Sequence, residues 1–153
     1  MKRRIRIQPA LLACGAALAI AGVHAAHAAS CTVSTSGLNF GNYDVFSTLN
    51  DDITATINVN CPSSTTYSIW LSTGTSGTYS SRSMTNGPNI LTYNLFTDPT
   101  RLTIWGDGSA GTGIFNGTGT GSNIGTPVYG RIPAGQNAYV GIYNDVVTVT
   151  VTF

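Results

Sequence analysis

Few residues in this chain are equipped for chemistry. Beyond residue 28 there are six aspartates (Asp44, Asp51, Asp52, Asp98, Asp107, Asp145), three arginines (Arg82, Arg101, Arg131) and two cysteines (Cys31, Cys61), with no His, Lys or Glu. A nucleophile with an adjacent base therefore has nothing to be built from. A carboxylate pair can hydrolyse a glycosidic bond, and Asp51-Asp52 is the one adjacent pair. Neighbours on a strand point to opposite faces, however, and on a turn they are solvated, so turn chemistry accounts for them better. Trp105-Gly106-Asp107-Gly108 would make a calcium loop only with several oxygen ligands at alternating positions, and Asp107 stands alone. A turn with glycine at positive φ and Asp capping the backbone explains it. Gly111-Thr112-Gly113 and residues 117–121 lack the lysine and following helix of a phosphate cradle. Trp70 and Trp105 are the rings that could stack on a sugar, although strand aromatics more often belong to a core or sheet surface. The residues point to no enzyme, no cofactor and no metal site.

The compartment follows from the N-terminus. Lys2, Arg3, Arg4 and Arg6 precede an apolar run over residues 10–23, and Ala26-His27-Ala28 fits a small-x-small cleavage site. This predicts a signal peptide over residues 1–28 and one mature domain over 29–153, with cleavage after Ala25 as a near alternative. The apolar run is shorter than the ~20 residues that span a bilayer. Cys14 lies inside that run rather than after it, so it belongs to the removed segment and not to a lipoprotein box. Three arginines against six aspartates leave the mature chain at −3, which gives nucleic acid no electrostatic footprint. In an exported chain the remaining even pair, Cys31 and Cys61, reads as one disulfide. Closing its loop of about 30 residues would contribute roughly 3 to 4 kcal/mol on the chain-entropy account.

The elements that must position these residues are strands. The strongest signal is at the end of the chain, where Val147, Val149, Val151 and Phe153 alternate with threonines. A chain that stops on its best strand leaves an edge or a groove. Residues 31–43 suggest a first strand with a kink or bulge at Gly41, and Leu38, Phe40 and Tyr43 around it. Ile53, Ala55, Ile57, Val59 and Cys61 share one face of a second strand. A bond from Cys31 to Cys61 then makes the first two strands antiparallel neighbours. Residues 67–71 predict a third strand with Trp70 facing away from Tyr67, Ile69 and Leu71, and residues 90–96 and 102–105 two more. Residues 106–123 read as a long flexible loop, and residues 127–133, bounded by prolines, as an edge strand. Some seven short strands with turns every 8 to 12 residues predict an all-β, immunoglobulin-like sandwich.

The ordered series Cys31-x-Val33, Leu38-x-Phe40-Gly41-x-Tyr43, Ile57-x-Val59-x-Cys61, Tyr67-x-Ile69-x-Leu71-Ser72, Arg82-x-Met84, Leu91-x-Tyr93-Asn94-Leu95-Phe96-x-Asp98, Trp105-Gly106-Asp107-Gly108, Tyr129-Gly130-Arg131-Ile132 and Gly141-x-Tyr143-x-Asp145 resembles the spore coat U domain. That family includes the Csu-type pilins of archaic chaperone-usher pili. The resemblance implies an incomplete immunoglobulin-like sandwich that lacks its final strand. A periplasmic pilus chaperone, and then a neighbouring pilin subunit, would supply that strand by β-strand addition, with an outer-membrane usher as a further partner. Tyr143, Val147, Val149, Val151 and Phe153 are the expected wall of the acceptor groove. Filling it with about four large apolar side chains at ~1.5 to 3 kcal/mol each is worth roughly 6 to 12 kcal/mol. That is comparable with a whole domain's net ~5 to 15 kcal/mol. Only Ala29 and Ser30 stand between the expected cleavage site and Cys31, where such pilins carry a donor segment. The expectation is therefore a subunit that accepts a strand without donating one: a terminal, tip-like subunit or coat component at the cell surface, serving attachment or biofilm. The alternative is a free-standing secreted carbohydrate-binding module using Trp70 or Trp105.

Overall fold

The computed structural model describes residues 30–153. The expected signal peptide over 1–28, Cys14 and Ala29 lie outside the described residues. Eight strands follow in order: β1 (Thr32–Thr35), β2 (Asp51–Asn60), β3 (Thr66–Leu71), β4 (Arg82–Asn86), β5 (Asn89–Phe96), β6 (Phe115–Thr118), β7 (Asn123–Ile132) and β8 (Val149–Thr152), with one 3-10 turn at Gly74–Ser76. All strand pairings are antiparallel, in a five-stranded sheet of order β1-β2-β7-β5-β4 and a three-stranded sheet of order β6-β3-β8. The protein is an all-β, immunoglobulin-like two-sheet sandwich with one disulfide.

Period-two patterning sets the layers. β2 turns Ile57 and Val59 inward and its threonines and asparagines outward, and β3 does the same with Tyr67, Ile69 and Leu71. Leu91, Tyr93 and Leu95 of β5, Val128 and Ile132 of β7 and the loop residue Trp105 complete the core. The register Thr32↔Asn60 puts Cys31 opposite Cys61 one step further along, and their disulfide spans a Cα–Cα distance of 4.3 Å. The staple ties the start of β1 to the end of β2, as the cysteine spacing predicts.

Several local expectations are corrected. The proline-bounded strand begins at Asn123 and lies in the interior of its sheet, not at an edge. Pro127 is tolerated because β5 pairs with β7 only at Tyr129, Gly130 and Arg131, so no ladder bond on that side needs the missing N–H. Residues 102–105 form no strand; they make isolated bridges, Ile104 to Phe96 and Trp105 to Gly113. The tract expected to be a loop contains β6, and β4 lacks the alternation that would have marked it. The first strand stops at Thr35, and Gly41 lies beyond it in a loop with φ +77, while Leu38, Phe40 and Tyr43 pack on the core. The closing strand is shortened to Val149–Thr152, because Asn144 bridges to Thr85 of β4 and the chain changes sheets between them.

Candidate functional site

The closing segment leaves the sandwich open. Val149 and Val151 sit opposite Leu71 and Ile69 of β3. Those two partners are 1% and 0% exposed, whereas Val149 and Val151 are only half-buried, so the inner cover fails at β8. Among the described residues β8 pairs with β3 alone, which leaves a row of backbone donors and acceptors on its other side. Across from it β1, an edge of the facing sheet, is exposed along its whole length.

Between the sheets runs a groove of about 240 Å³, floored by Ile57, Leu71, Met84, Tyr93, Leu95 and Val128 and walled by Tyr143, Val147 and Val149. For scale, an apolar cavity of ~150 Å³ admits a benzene ring. Three of the five expected wall residues, Tyr143, Val147 and Val149, line this groove. Val151 packs on the core beyond it, and Phe153, 56% exposed, borders a separate shallow depression beside Thr66, Ser68 and Asn116.

Polar ties hold the wall. The Asn144 and Thr85 backbones exchange both hydrogen bonds, at 2.9 and 3.1 Å. The Thr148 amide donates to Ser72 Oγ at 2.9 Å, and its carbonyl accepts from the Ser72 amide at 3.0 Å. The Ser72 carbonyl accepts from Nε (3.1 Å) and Nη2 (2.7 Å) of Arg82, which is 0% exposed and also donates to the Trp105 carbonyl and to Asn94 Oδ1, each at 2.7 Å. Burial lowers the Arg82 pKa, and the nearby Tyr93, Tyr79 and Asp145 oxygens offset part of that. Asp145 lines the groove; burial works to raise its pKa, yet bonds from Tyr93 and Thr75 outweigh burial and hold it below the usual carboxylate range. Neither Arg82 nor Asn94 stands out by type or alternation. The only sequence signal for them is their place in the ordered motif series.

Of the other carboxylates, all but Asp51 accept hydrogen bonds from nearby groups, and Asp51 Oδ2 is buried without a partner. Asp51 and Asp52 alternate across β2. Asp52 accepts from Arg131 Nε and Nη2 at 2.7 and 2.8 Å, with Arg101 Nε at 3.3 Å, and the Arg131 bonds lower its pKa. Asp51 is pushed up by burial and then by Asp52. Asp98 caps its turn through Thr100, Leu102 and Thr103, which brings its carboxyl down to about 2. Asp107 accepts from the amide and hydroxyl of Ser109, and Asp44 from the Phe46 amide.

Sugar stacking on Trp105 is corrected. The ring is 0% exposed, lies 6.2 Å from Phe115 and donates from Nε1 to the Ile69 carbonyl at 3.0 Å, so it has no face to offer. Trp70 is half-buried on the outer side of β3, with Nε1 3.4 Å from Thr152 Oγ1.

Fold and groove together define an immunoglobulin-like sandwich domain open along one edge. The chain belongs to the spore coat protein U family: the model described as Spore Coat Protein U domain matches residues 17–150, a range that begins upstream of the expected mature start. Protein U of Myxococcus xanthus is 38% identical over 129 residues, covering 76% of this chain and 71% of that one. Among solved structures, similarity extends to a chain of the "CsuC-CsuE chaperone-tip adhesion subunit pre-assembly complex from archaic chaperone-usher Csu pili of Acinetobacter baumannii", with a TM-score of 0.62 at 20% identity. That match covers 82% of this chain but spans only 40% of the solved one.

Proposed function

We propose that this chain is an exported, non-catalytic structural subunit of a chaperone-usher surface pilus or coat. Its sandwich is one strand short and is completed first by a periplasmic chaperone and then by a neighbouring subunit, with an outer-membrane usher directing assembly. The observation that carries this reading is the apolar groove beside β8, whose wall residues Tyr143, Val147 and Val149 are only partly buried and whose outer strand edge has no partner among the described residues. β-strand addition fits such a site because main-chain bonds supply affinity while pockets for alternate side chains supply register. Membership of the spore coat protein U family supports the same reading, as does likeness to a chain from a chaperone–subunit complex. A terminal position in the fibre, with a role in attachment or biofilm, is the finer form of the proposal. Its support is that the solved complex contains a tip subunit.

The test is to produce the chain in a bacterial periplasm with and without a chaperone of an archaic chaperone-usher system. A soluble one-to-one complex in the first case, and aggregation or degradation in the second, is the expected result. Equal yields of soluble monomer in both would refute the proposal.

A further inference from the structure

Most of the groove's free wall lies outside any sheet. Asn144 is bridged to β4, Thr148 is bonded to Ser72 just before β8 begins, and between them the chain crosses from one sheet to the other carrying Val147. Asp145 stands at the crossing. Its Oδ1 accepts from the Thr75 amide, the Thr75 hydroxyl and the Val146 amide, all at 2.8 Å, and its Oδ2 accepts from the Tyr93 hydroxyl at 2.6 Å. Gly74, at φ +68, makes room, since a Cβ there would overlap the carboxylate. Asp98 and Asp107 cap turns within five residues of themselves, whereas Asp145 reaches partners 70 and 52 residues away on two different elements. It is therefore a tertiary tie rather than a local cap, and it is the one carboxylate among the residues lining the groove.

We infer that Asp145, acting through Thr75 and Tyr93, is a positioning residue that holds the 143–149 wall of the empty groove in the shape an incoming strand requires. The inference rests on the acceptor reading of the groove. The backbone ties at Asn144 and Thr148 leave residues 145–147 between them without a backbone partner; untethered, that span would sample several conformations, and a strand binds only the fraction that is competent. Pre-shaping the wall removes that loss before the strand arrives, so its effect falls on association rather than on dissociation.

The experiment uses the oxidised mature chain, residues 29–153, and a fluorescein-labelled ten-residue peptide of alternating valine and threonine, flanked by lysines, with both rates read by stopped flow. Asp145→Ala is expected to slow association about tenfold and leave dissociation unchanged, as a drop in the competent fraction requires. Thr75→Val, at an exposed residue, shifts the rate in the same direction by less, and the double variant is no slower than Asp145→Ala alone. Asp145→Asn, which keeps an acceptor oxygen, recovers part of the association rate. Unchanged association overturns the inference, as does an effect confined to dissociation or to thermal stability. Failure of the unsubstituted chain to bind the peptide would instead remove the acceptor reading, and the inference with it.

Discussion

Replacing Val149 by Asp separates folding from completion. Val149 faces Leu71 across the β3–β8 ladder and is partly buried in the groove wall. A carboxylate there can still reach water through the open groove, so the unoccupied subunit should lose about 1 to 3 kcal/mol. Once a strand covers the site, two costs arise together. The remaining apolar burial of Val149 is lost, at most ~1 kcal/mol because the side chain is already largely covered, and a carboxylate is desolvated without a partner, which adds several kcal/mol unless it takes up a proton. Together they exceed about 4 kcal/mol, or about a thousandfold in affinity. Thr150→Asp is the control, because Thr150 pairs with Trp70 on the outer side of the same strand. It should change strand affinity by less than about threefold, the ±0.5 kcal/mol of an ordinary surface change. Titration of a fluorescent alternating peptide gives the affinities, and urea unfolding without peptide gives the stabilities. If Val149→Asp binds the peptide as tightly as the parent chain, the groove wall is misassigned.

Three further outcomes follow from the same geometry. Replacing both Cys31 and Cys61 by alanine opens a loop of sequence separation 30 and should lower urea-unfolding stability by about 3 to 4 kcal/mol. Arg82→Leu leaves the Ser72 and Trp105 carbonyls and Asn94 Oδ1 without their donor in an enclosed site, so denaturation should show a loss above about 3 kcal/mol. Arg82→Lys should restore less than half of it, since an ammonium cannot reproduce the guanidinium fork. Asp52 has a lowered pKa, so its stabilisation is present above the unfolded carboxyl value near ~3.9 and is lost as pH falls through the folded value. Urea midpoints of Asp52→Asn should therefore fall less than those of the parent below about pH 4, by a small margin because the ion pair is partly exposed.

Where one face of a strand is buried and the other wet, the sequence was legible. Ile57 and Val59, and Tyr67, Ile69 and Leu71, reveal β2 and β3 by alternation alone, and the cysteine spacing reveals how β1 joins β2. Alternation fails where pairing partners, not patterning, create the strand. Phe115-Asn116-Gly117-Thr118 becomes β6 because Gly117 lets the Tyr67 ring lie across it, a fit invisible without β3 beside it. Pro127 suggested an edge because the end of β5 pairing, which makes it harmless, is a tertiary fact. Val147 and Val149 are named as groove wall only through the family resemblance, and nothing in the sequence names the floor. Met84, Tyr93 and Leu95 come together on that floor only when the sheets are placed face to face. The role of Asp145 is hidden for the same reason, because its partners Thr75 and Tyr93 are 70 and 52 residues away in sequence.

The unfolding temperature of the purified mature chain, recorded alone and with a saturating exogenous strand peptide, most directly tests whether the sandwich needs another polypeptide to complete it. A sandwich open at the groove predicts a low midpoint for the chain alone, and a strand peptide held at about 1,000 times its Kd should add about 4 kcal/mol, a rise of about 15 °C at roughly 4 °C per kcal/mol for a domain of this size. A monomer that already melts above about 90 °C and is indifferent to the peptide would contradict the account.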